Sequence, residues 1–223
     1  MEFDVSGINE CDFSKPTILC EIMGRHGSDK GNANNTTQHN YTILYEKLFM
    51  PMKNKSLRVF ELGLGTNNTD VPSNMGSDGK PGASLRGWRE YFPNAQIFGA
   101  DIDRRILFQE ERISTFYCDQ LSASSISELW NNDVLREQFD IILEDGLHTY
   151  DANVSFFENS FHMVKPGGIY IIEDVVWNTI PLYEPKIMEW QNKYPGSMGY
   201  VFAIPHRYNS RDNCLIAMIK GGI

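Results

Sequence analysis

Leu57–Thr66, LRVFELGLGT, is a short apolar run that ends in an acidic residue and passes into two glycines. A continuous apolar segment of this length, closed by glycine, reads as a buried parallel strand entering a tight turn. Lacking Cβ atoms, Gly63 and Gly65 let the backbone come close to a nucleotide or sulfonium ligand and take up angles that other residues avoid. Many nucleotide-binding folds share such a turn, so the order of the segments around it has to decide among them.

Downstream, Gln96–Ile102 (QIFGADI), Ile113–Cys118, Phe139–Leu143 and Ile169–Ile172 read as further strands, each passing into an acid or an acid-amide pair. Helical spacing falls between them. Ser84–Tyr91 begins on a serine that can cap a helix, Ser124–Asn131 turns Ile126, Leu129 and Trp130 inward, and Thr149–Val164 is stopped by Lys165-Pro166-Gly167-Gly168. Strands alternating with helices predict right-handed βαβ units and a mostly parallel, Rossmann-like α/β sheet. Tyr200–Ile204 and Cys214–Ile219 are separated only by PHRYNSRDN, too short for a helical crossover, so they are expected to form an antiparallel hairpin at the sheet edge.

Upstream, Lys15–Met23 and Tyr41–Met50 have helical spacing, the second closed by Pro51. Between them runs GRHGSDKGNANNTTQHN, a loop with Asp29-Lys30 as its charged centre. The first residues, to about Pro16, read as polar and irregular, suited to disorder or to a subunit contact in a homo-oligomer. Residues 1–50 are therefore expected to be an N-terminal extension of helices and lid loop, and 51–223 the Rossmann-like domain. Asn67–Gly82 has turn formers without a core and reads as an insertion between the first strand and its helix.

At 223 residues and 41% hydrophobic, the chain suffices for one sizeable α/β domain. Its 20 basic against 29 acidic residues leave no basic footprint for a nucleic-acid backbone. Cys11, Cys20, Cys118 and Cys214 lack metal-knuckle spacing and read as free thiols in a reducing compartment. The acidic start has no apolar core of a secretory signal, and no apolar run approaches the ~20 residues of a membrane span. A soluble, cytoplasmic protein without nucleic-acid or membrane partners is expected.

In an open parallel sheet, ligands bind beyond the carboxyl ends of the strands. Those ends carry Glu61, Asp101, Asp119, Asp145 and Glu173-Asp174. Asp101 is placed to accept from ribose hydroxyls or, alternatively, to pair with Arg104 or Arg105. Asp119-Gln120 offers donors and acceptors for an adenine edge, or simply a turn. Asp145, Glu173 and Asp174 are hard oxygen donors that would repel one another without a cation between them, which suits Mg2+ or a similar ion. His148, three residues beyond Asp145, can face the same cleft as a general base, or be a surface residue beside a capping Asp145.

ELGLGT, the acid in GADID, the CDQ pair, FDIILEDG, and VKPGG before IYIIED together resemble the class I methyltransferases that use S-adenosylmethionine. GSDKG followed by HNYTILYEKLF, then GASLRGWREYFPNAQIFGADID, EDGLH and IIEDV, narrows the resemblance to the magnesium-dependent O-methyltransferases of macrolide-sugar tailoring, the mycinamicin type. That resemblance implies Asp145, Glu173 and Asp174 as metal ligands and His148 as the base. The donor is expected to be held by Tyr41, Glu61, Gly63, Gly65, Ser84, Asp101, Asp119, Gln120 and Asp145, with Asp145 beside His148 in catalysis and Tyr41, His39 and Asp29 as lid residues. The expected acceptor is a hydroxyl of a sugar, glycan or glycosylated small molecule. A phosphate or phosphoramidate oxygen on a surface glycan is the alternative within methyl transfer. An NAD-type oxidoreductase shares the fold layer, but the turn lacks the third glycine of its fingerprint.

Overall fold

Alternate residues of the central strands face opposite sides of one sheet, and each side carries its own core. The computed structural model describes Phe3, Val5, Ile8 and residues 11–31 and 39–222. Among these, α1 (Ile18–His26) and α2 (Tyr41–Phe49) precede β1 (Arg58–Leu62), α3 (Ala83–Tyr91), β2 (Gln96–Asp101) and the two-residue β3 (Gln109–Glu110). There follow β4 (Ile113–Tyr117), α4 (Ala123–Trp130), β5 (Phe139–Glu144), α5 (Tyr150–Ser160), β6 (Val164–Ile172), α6 (Ile180–Lys193), β7 (Met198–Ala203) and β8 (Cys214–Ile219). The strand order is β3-β4-β2-β1-β5-β6-β8-β7. β4, β2, β1, β5 and β6 run parallel, and β8 is antiparallel to both β6 and β7. The expected parallel sheet with a C-terminal antiparallel hairpin is therefore present.

Val59, Ile97, Ile141 and Ile169 pack towards Leu19, Tyr45 and Trp88 of α1–α3, while Phe60, Phe98, Ile142 and Tyr170 pack towards Ile126, Phe156 and Trp190 of α4–α6. This period-two partition explains why the strands read as continuous apolar runs: both faces are covered. The N-terminal helices share one core with β1 and α3. Phe3 and Ile8 are buried in the same core, the Phe3 ring lying edge-on to Phe49 at 6.3 Å, so these positions of the expected polar tail are packed. The rest of that tail and residues 32–38 of the lid loop lie outside the described residues.

Two local expectations are corrected, and one helix is new. α1 starts at Ile18 because Thr17 caps it, its hydroxyl accepting from the Cys20 amide. The Lys165-Pro166-Gly167-Gly168 segment is part of β6, where it accommodates a register break. Val164 pairs with Phe139 and Ile169 with Ile141, and Gly167 takes φ +74°. α6 has no counterpart in the sequence expectations, and it forms although it contains Pro181 and Pro185. Pro181 lies in the first turn, where an amide has no partner to lose. Burial of Tyr183, Ile187 and Trp190, with Trp190 stacked on Phe157 at 3.8 Å, outweighs the interior Pro185.

Cys20, Cys118 and Cys214 are buried, and burial pushes the Cys118 thiol up to about 12 and that of Cys214 up to about 11. A thiol reagent at pH 8 is therefore expected to modify Cys11 alone in the folded protein and all four cysteines after denaturation. Mass spectrometry after a short exposure checks this; rapid labelling of Cys118 would contradict it.

Candidate active site

β1 lies between β2 and β5, the point from which the chain builds the sheet in both directions. The turn after β1 is tied to both neighbours: the Gly63 amide donates to the Ala100 carbonyl at 2.8 Å, and the Asp145 amide to the Leu62 carbonyl at 2.8 Å. Gly63 has φ +90° and Gly65 φ +70°. A Cβ on Gly63 would overlap the Asp145 carbonyl group, so glycine is required there for the β1 and β5 turns to touch. The two turns open a cleft of about 190 Å³. A smaller recess beside it is lined by Gly63, Gly65, Glu61, Ser84 and Lys30.

Most expected donor-side residues reach this cleft, although several are already engaged. Asp101 lines it but pairs with neither Arg104 nor Arg105; it accepts from the Leu64 amide at 2.7 Å and the Asp103 amide at 2.8 Å, holding the glycine turn against β2. Burial pushes its carboxyl up. Asp119 lines the cleft and accepts from the Leu121 amide at 3.0 Å, which makes it a turn residue as well. Gln120 also lines the cleft, yet its amide nitrogen donates to Glu144 and its oxygen accepts from the Leu147 amide at 2.9 Å. Its amide thus shapes the Gly146–His148 turn, leaving little of it to read an adenine edge.

Ser84 does not cap α3. Gly82 occupies the cap position without a side-chain bond, and the Ser84 hydroxyl donates to Glu61 instead. Glu61 is buried and also accepts from Trp88 Nε1 at 2.5 Å. Residues Val71, Pro72, Ser73 and Met75 of the expected insertion form a wall of the cleft, closed by the Met75 amide on the Thr66 carbonyl at 2.8 Å.

Asp145, Glu173 and Glu61, at three of the acidic strand ends, surround a cation that belongs to the chain. Lys30 Nζ donates to Asp145 Oδ2 and to Glu173 Oε2, both at 2.5 Å, and lies 3.6 Å from Glu61 Oε1. Its side chain is 2% exposed. Burial alone would discharge this lysine, but Asp145, Glu173 and Glu61 hold its pKa well above the ordinary value. The second Glu173 oxygen accepts from Tyr45 at 2.7 Å. Glu173 therefore faces Lys30 and Tyr45.

Among the described residues, Asp145, His148 and Asp174 form a group that could hold a metal ion, their ligand atoms lying within 4.8 Å of one another. His148 Nε2 is 3.0 Å from Asp145 Oδ1, and its Nδ1 is 3.5 Å from Asp174 Oδ2. Burial disfavours a charged imidazole, but Asp145 and Asp174 outweigh it and push His148 up to about 10. Burial would likewise raise Asp145, yet Lys30 and His148 beside it hold its carboxyl well below the usual carboxylate range. Both His148 and Asp174 adopt positive φ, +57° and +54°.

Tyr41 is buried beneath this group; its hydroxyl is 2.7 Å from Asp174 Oδ1 and 2.8 Å from the Asp212 carbonyl. His39 stacks on Tyr41 at 4.6 Å and reaches Asp174 at 3.4 Å, while Asp29 lines both recesses. Lys30, Tyr45 and Trp88 had no assigned role in the sequence. The signal for Lys30 was the excess of acids itself, which required a counter-charge.

No protein-family model matches the chain. The 8-demethyl-8-(2-methoxy-α-L-rhamnosyl)-tetracenomycin-C 3'-O-methyltransferase of Streptomyces olivaceus is 34% identical over 163 residues, 73% of this chain and 38% of that protein. The 2'-O-methyltransferase for 8-demethyl-8-α-L-rhamnosyl tetracenomycin-C, from the same organism, is 32% identical over 74% of this chain and 40% of its own length. The mycinamicin VI 2''-O-methyltransferase of Micromonospora griseorubida is 33% identical over 74% and 37%. This chain is a relative of sugar O-methyltransferases.

The chain spans about two fifths of the length of these curated relatives. The solved structure of the mycinamicin-pathway methyltransferase MycE, in complex with Mg and S-adenosylhomocysteine, matches with a TM-score of 0.66 at 24% identity, over 94% of this chain and 56% of that one. Its fold is the methyltransferase fold that the resemblance of the motifs implied. Together these relatives favour the methyltransferase reading of the glycine turn over the oxidoreductase one. Among the described residues, no helix is long and apolar enough to cross a membrane.

Proposed function

We propose that the chain binds S-adenosylmethionine in the cleft and, with Mg2+ or a similar divalent ion, transfers its methyl group to a hydroxyl of a sugar on a glycan or glycosylated small molecule. The observation that carries this is that Asp145, His148 and Asp174 open onto the same cleft as the Gly63–Gly65 turn, so donor and acceptor sites share one wall. The residues fit both groups. Gly63 and Gly65 line the cleft that the donor would enter, and the carboxylates of Asp145 and Asp174 on the same cleft are hard oxygen donors of the kind that Mg2+ takes.

When bound, the two groups supply a methyl carbon activated by a sulfonium and a Lewis acid that neutralises Asp145 and Asp174 and acidifies the acceptor hydroxyl. Gly63 and Gly65 would admit the methionyl end of the donor, beside the negative charge of Glu61 and the Ser84 hydroxyl. Asp101 would take the ribose, and Asp119 the adenine side, with Gln120 fixing the loop that carries Asp145 and His148. Asp145 and Asp174 would hold the ion, and Glu173 would stand behind them on Lys30 and Tyr45. With Asp145 and Asp174 neutralised by the ion, the carboxylate charge that raises the His148 pKa would be removed, and His148 in its neutral form would take the acceptor proton. Because in-line displacement depends on near-attack geometry, the main contribution of these side chains is orientation. Unpaired cysteines suit a reducing cytoplasmic setting.

The test is incubation with S-adenosylmethionine, Mg2+ and rhamnosylated or macrolide acceptors, with the product followed by mass. Gain of one methylene on the sugar, abolished by EDTA, is the expected result. Absence of S-adenosylhomocysteine binding by calorimetry would overturn the function, and full activity in EDTA would overturn the role of the metal.

A second acceptor class has one observation in its favour. Both His148 nitrogens face carboxylates, and an acceptor that is already anionic, such as a phosphate or phosphoramidate oxygen of a glycan, needs no base. A pH–rate profile unchanged by loss of His148 would select it.

A further inference from the structure

We propose that Lys30 is a resident counter-ion of the acid cluster, one that holds Asp145 and Glu173 in place when the site is empty and restrains the affinity of the cluster's carboxylates for a divalent ion. This rests on the reading that the cluster takes such an ion.

The placement of Lys30 is built into the fold. Its loop follows the left-handed cap of α1 at Gly27, the Ser28 amide donates to the Met23 carbonyl at 3.0 Å, and the Lys30 carbonyl accepts from the Thr42 amide of α2 at 3.2 Å. Gly31 runs against the Cys20 backbone, where a Cβ would come within 3.0 Å of the Cys20 carbonyl oxygen. Two helices therefore fix the backbone from which the side chain extends into the strand ends. Immobilising a lysine side chain and stripping its ammonium of water are both costly, so the site is stable only because each nearby carboxylate compensates.

The ammonium divides the cluster in two. On one side, Glu173 is fully engaged by Lys30 and Tyr45, and Glu61 by Ser84, Trp88 and the more distant Lys30 charge. On the other, Asp145 gives Oδ2 to Lys30 and turns Oδ1 towards His148 and Asp174. Asp145 is thus shared, and any ion on its free side is repelled by the ammonium on the other. Removing the ammonium would also free Glu173 to join Asp145 and Asp174. Lys30 and Asp145 both line the smaller recess beside Glu61 and Gly63, which puts this positioning residue between the proposed donor and metal sites.

The experiment compares the parent with Lys30→Met, using Mn2+ as the probe by electron paramagnetic resonance and thermal melting in EDTA and in saturating Mn2+. Lys30→Met is expected to bind Mn2+ at least about tenfold more tightly, because a like charge beside the ion is gone. It should melt lower than the parent in EDTA, with the deficit closing in Mn2+, and Glu173→Gln added to Lys30→Met should recover part of the loss in EDTA. Folding of Lys30→Met only when Mn2+ is present is the same coupling at its limit. Unchanged or weaker Mn2+ binding, an equal melting deficit with and without the ion, or failure to fold in either condition overturns the proposal. If the parent binds Mn2+ and Asp174→Asn abolishes binding, the metal reading stands while this proposal falls on its own. If neither parent nor Lys30→Met binds Mn2+, both fall.

Discussion

Gly63→Ala is expected to destabilise the protein by about 2–5 kcal/mol, the sum of a left-handed backbone penalty and overpacking against an immobile neighbour. For a chain of this size that lowers the melting temperature by roughly 4–20 °C. The neighbour is the Asp145 carbonyl group, and it cannot retreat: the Asp145 amide is bonded to the Leu62 carbonyl, and Gly63 itself to Ala100. Relief would have to come from separating the β1 and β5 turns, which carries Asp145 away from Lys30 and His148. Donor binding should therefore fall together with stability. Gly76 is the control, since it has φ +72° but nothing within 4 Å of an added Cβ. Gly76→Ala should cost only the backbone penalty, about 1 kcal/mol. Melting curves and S-adenosylhomocysteine calorimetry read both effects, and a Gly63→Ala protein that melts and binds like the parent would disprove the close approach.

His148→Asn is expected to reduce methyl transfer to a sugar hydroxyl by about 10²–10⁴-fold, the usual contribution of a positioned general base. Asparagine is the informative replacement because His148 has φ +57°, a conformation asparagine tolerates better than alanine does. The backbone turn from Asp145 to His148 should survive, and with it the Gln120 bond to Leu147 that supports the cleft. Donor affinity is therefore expected to stay within about threefold of the parent while kcat falls. A loss of only a few-fold on a hydroxyl acceptor would remove His148 from the role of base and favour an anionic acceptor.

Much of the architecture was legible because it repeats locally. Phe60, Phe98 and Ile142 alternate with Val59, Ile97 and Ile141, and that period, closed each time by an acid or glycine, is enough to order the parallel strands. α6 was not legible, because its two prolines speak against a helix and only the packing of Trp190 on Phe157 speaks for it. Ser84 shows the reverse error. Its position suits a cap, but a buried carboxylate across the turn takes its hydroxyl.

The sequence by itself determined the fold class, the glycine turn after β1 and the gathering of Asp145, His148, Glu173 and Asp174 at neighbouring strand ends. Local periodicity and the rule that parallel strands present their carboxyl ends together suffice for that. Only the tertiary structure decided how those acids are shared. Beyond β6 the chain turns at Asp174, φ +54°, and here Glu173 meets Lys30 and Tyr45 while Asp174 meets Tyr41 and His148. The lysine that parts them comes from a loop 115 residues before Asp145 and 143 before Glu173, a separation that no local pattern spans. Its charge is set by burial among carboxylates, a property of the folded chain alone.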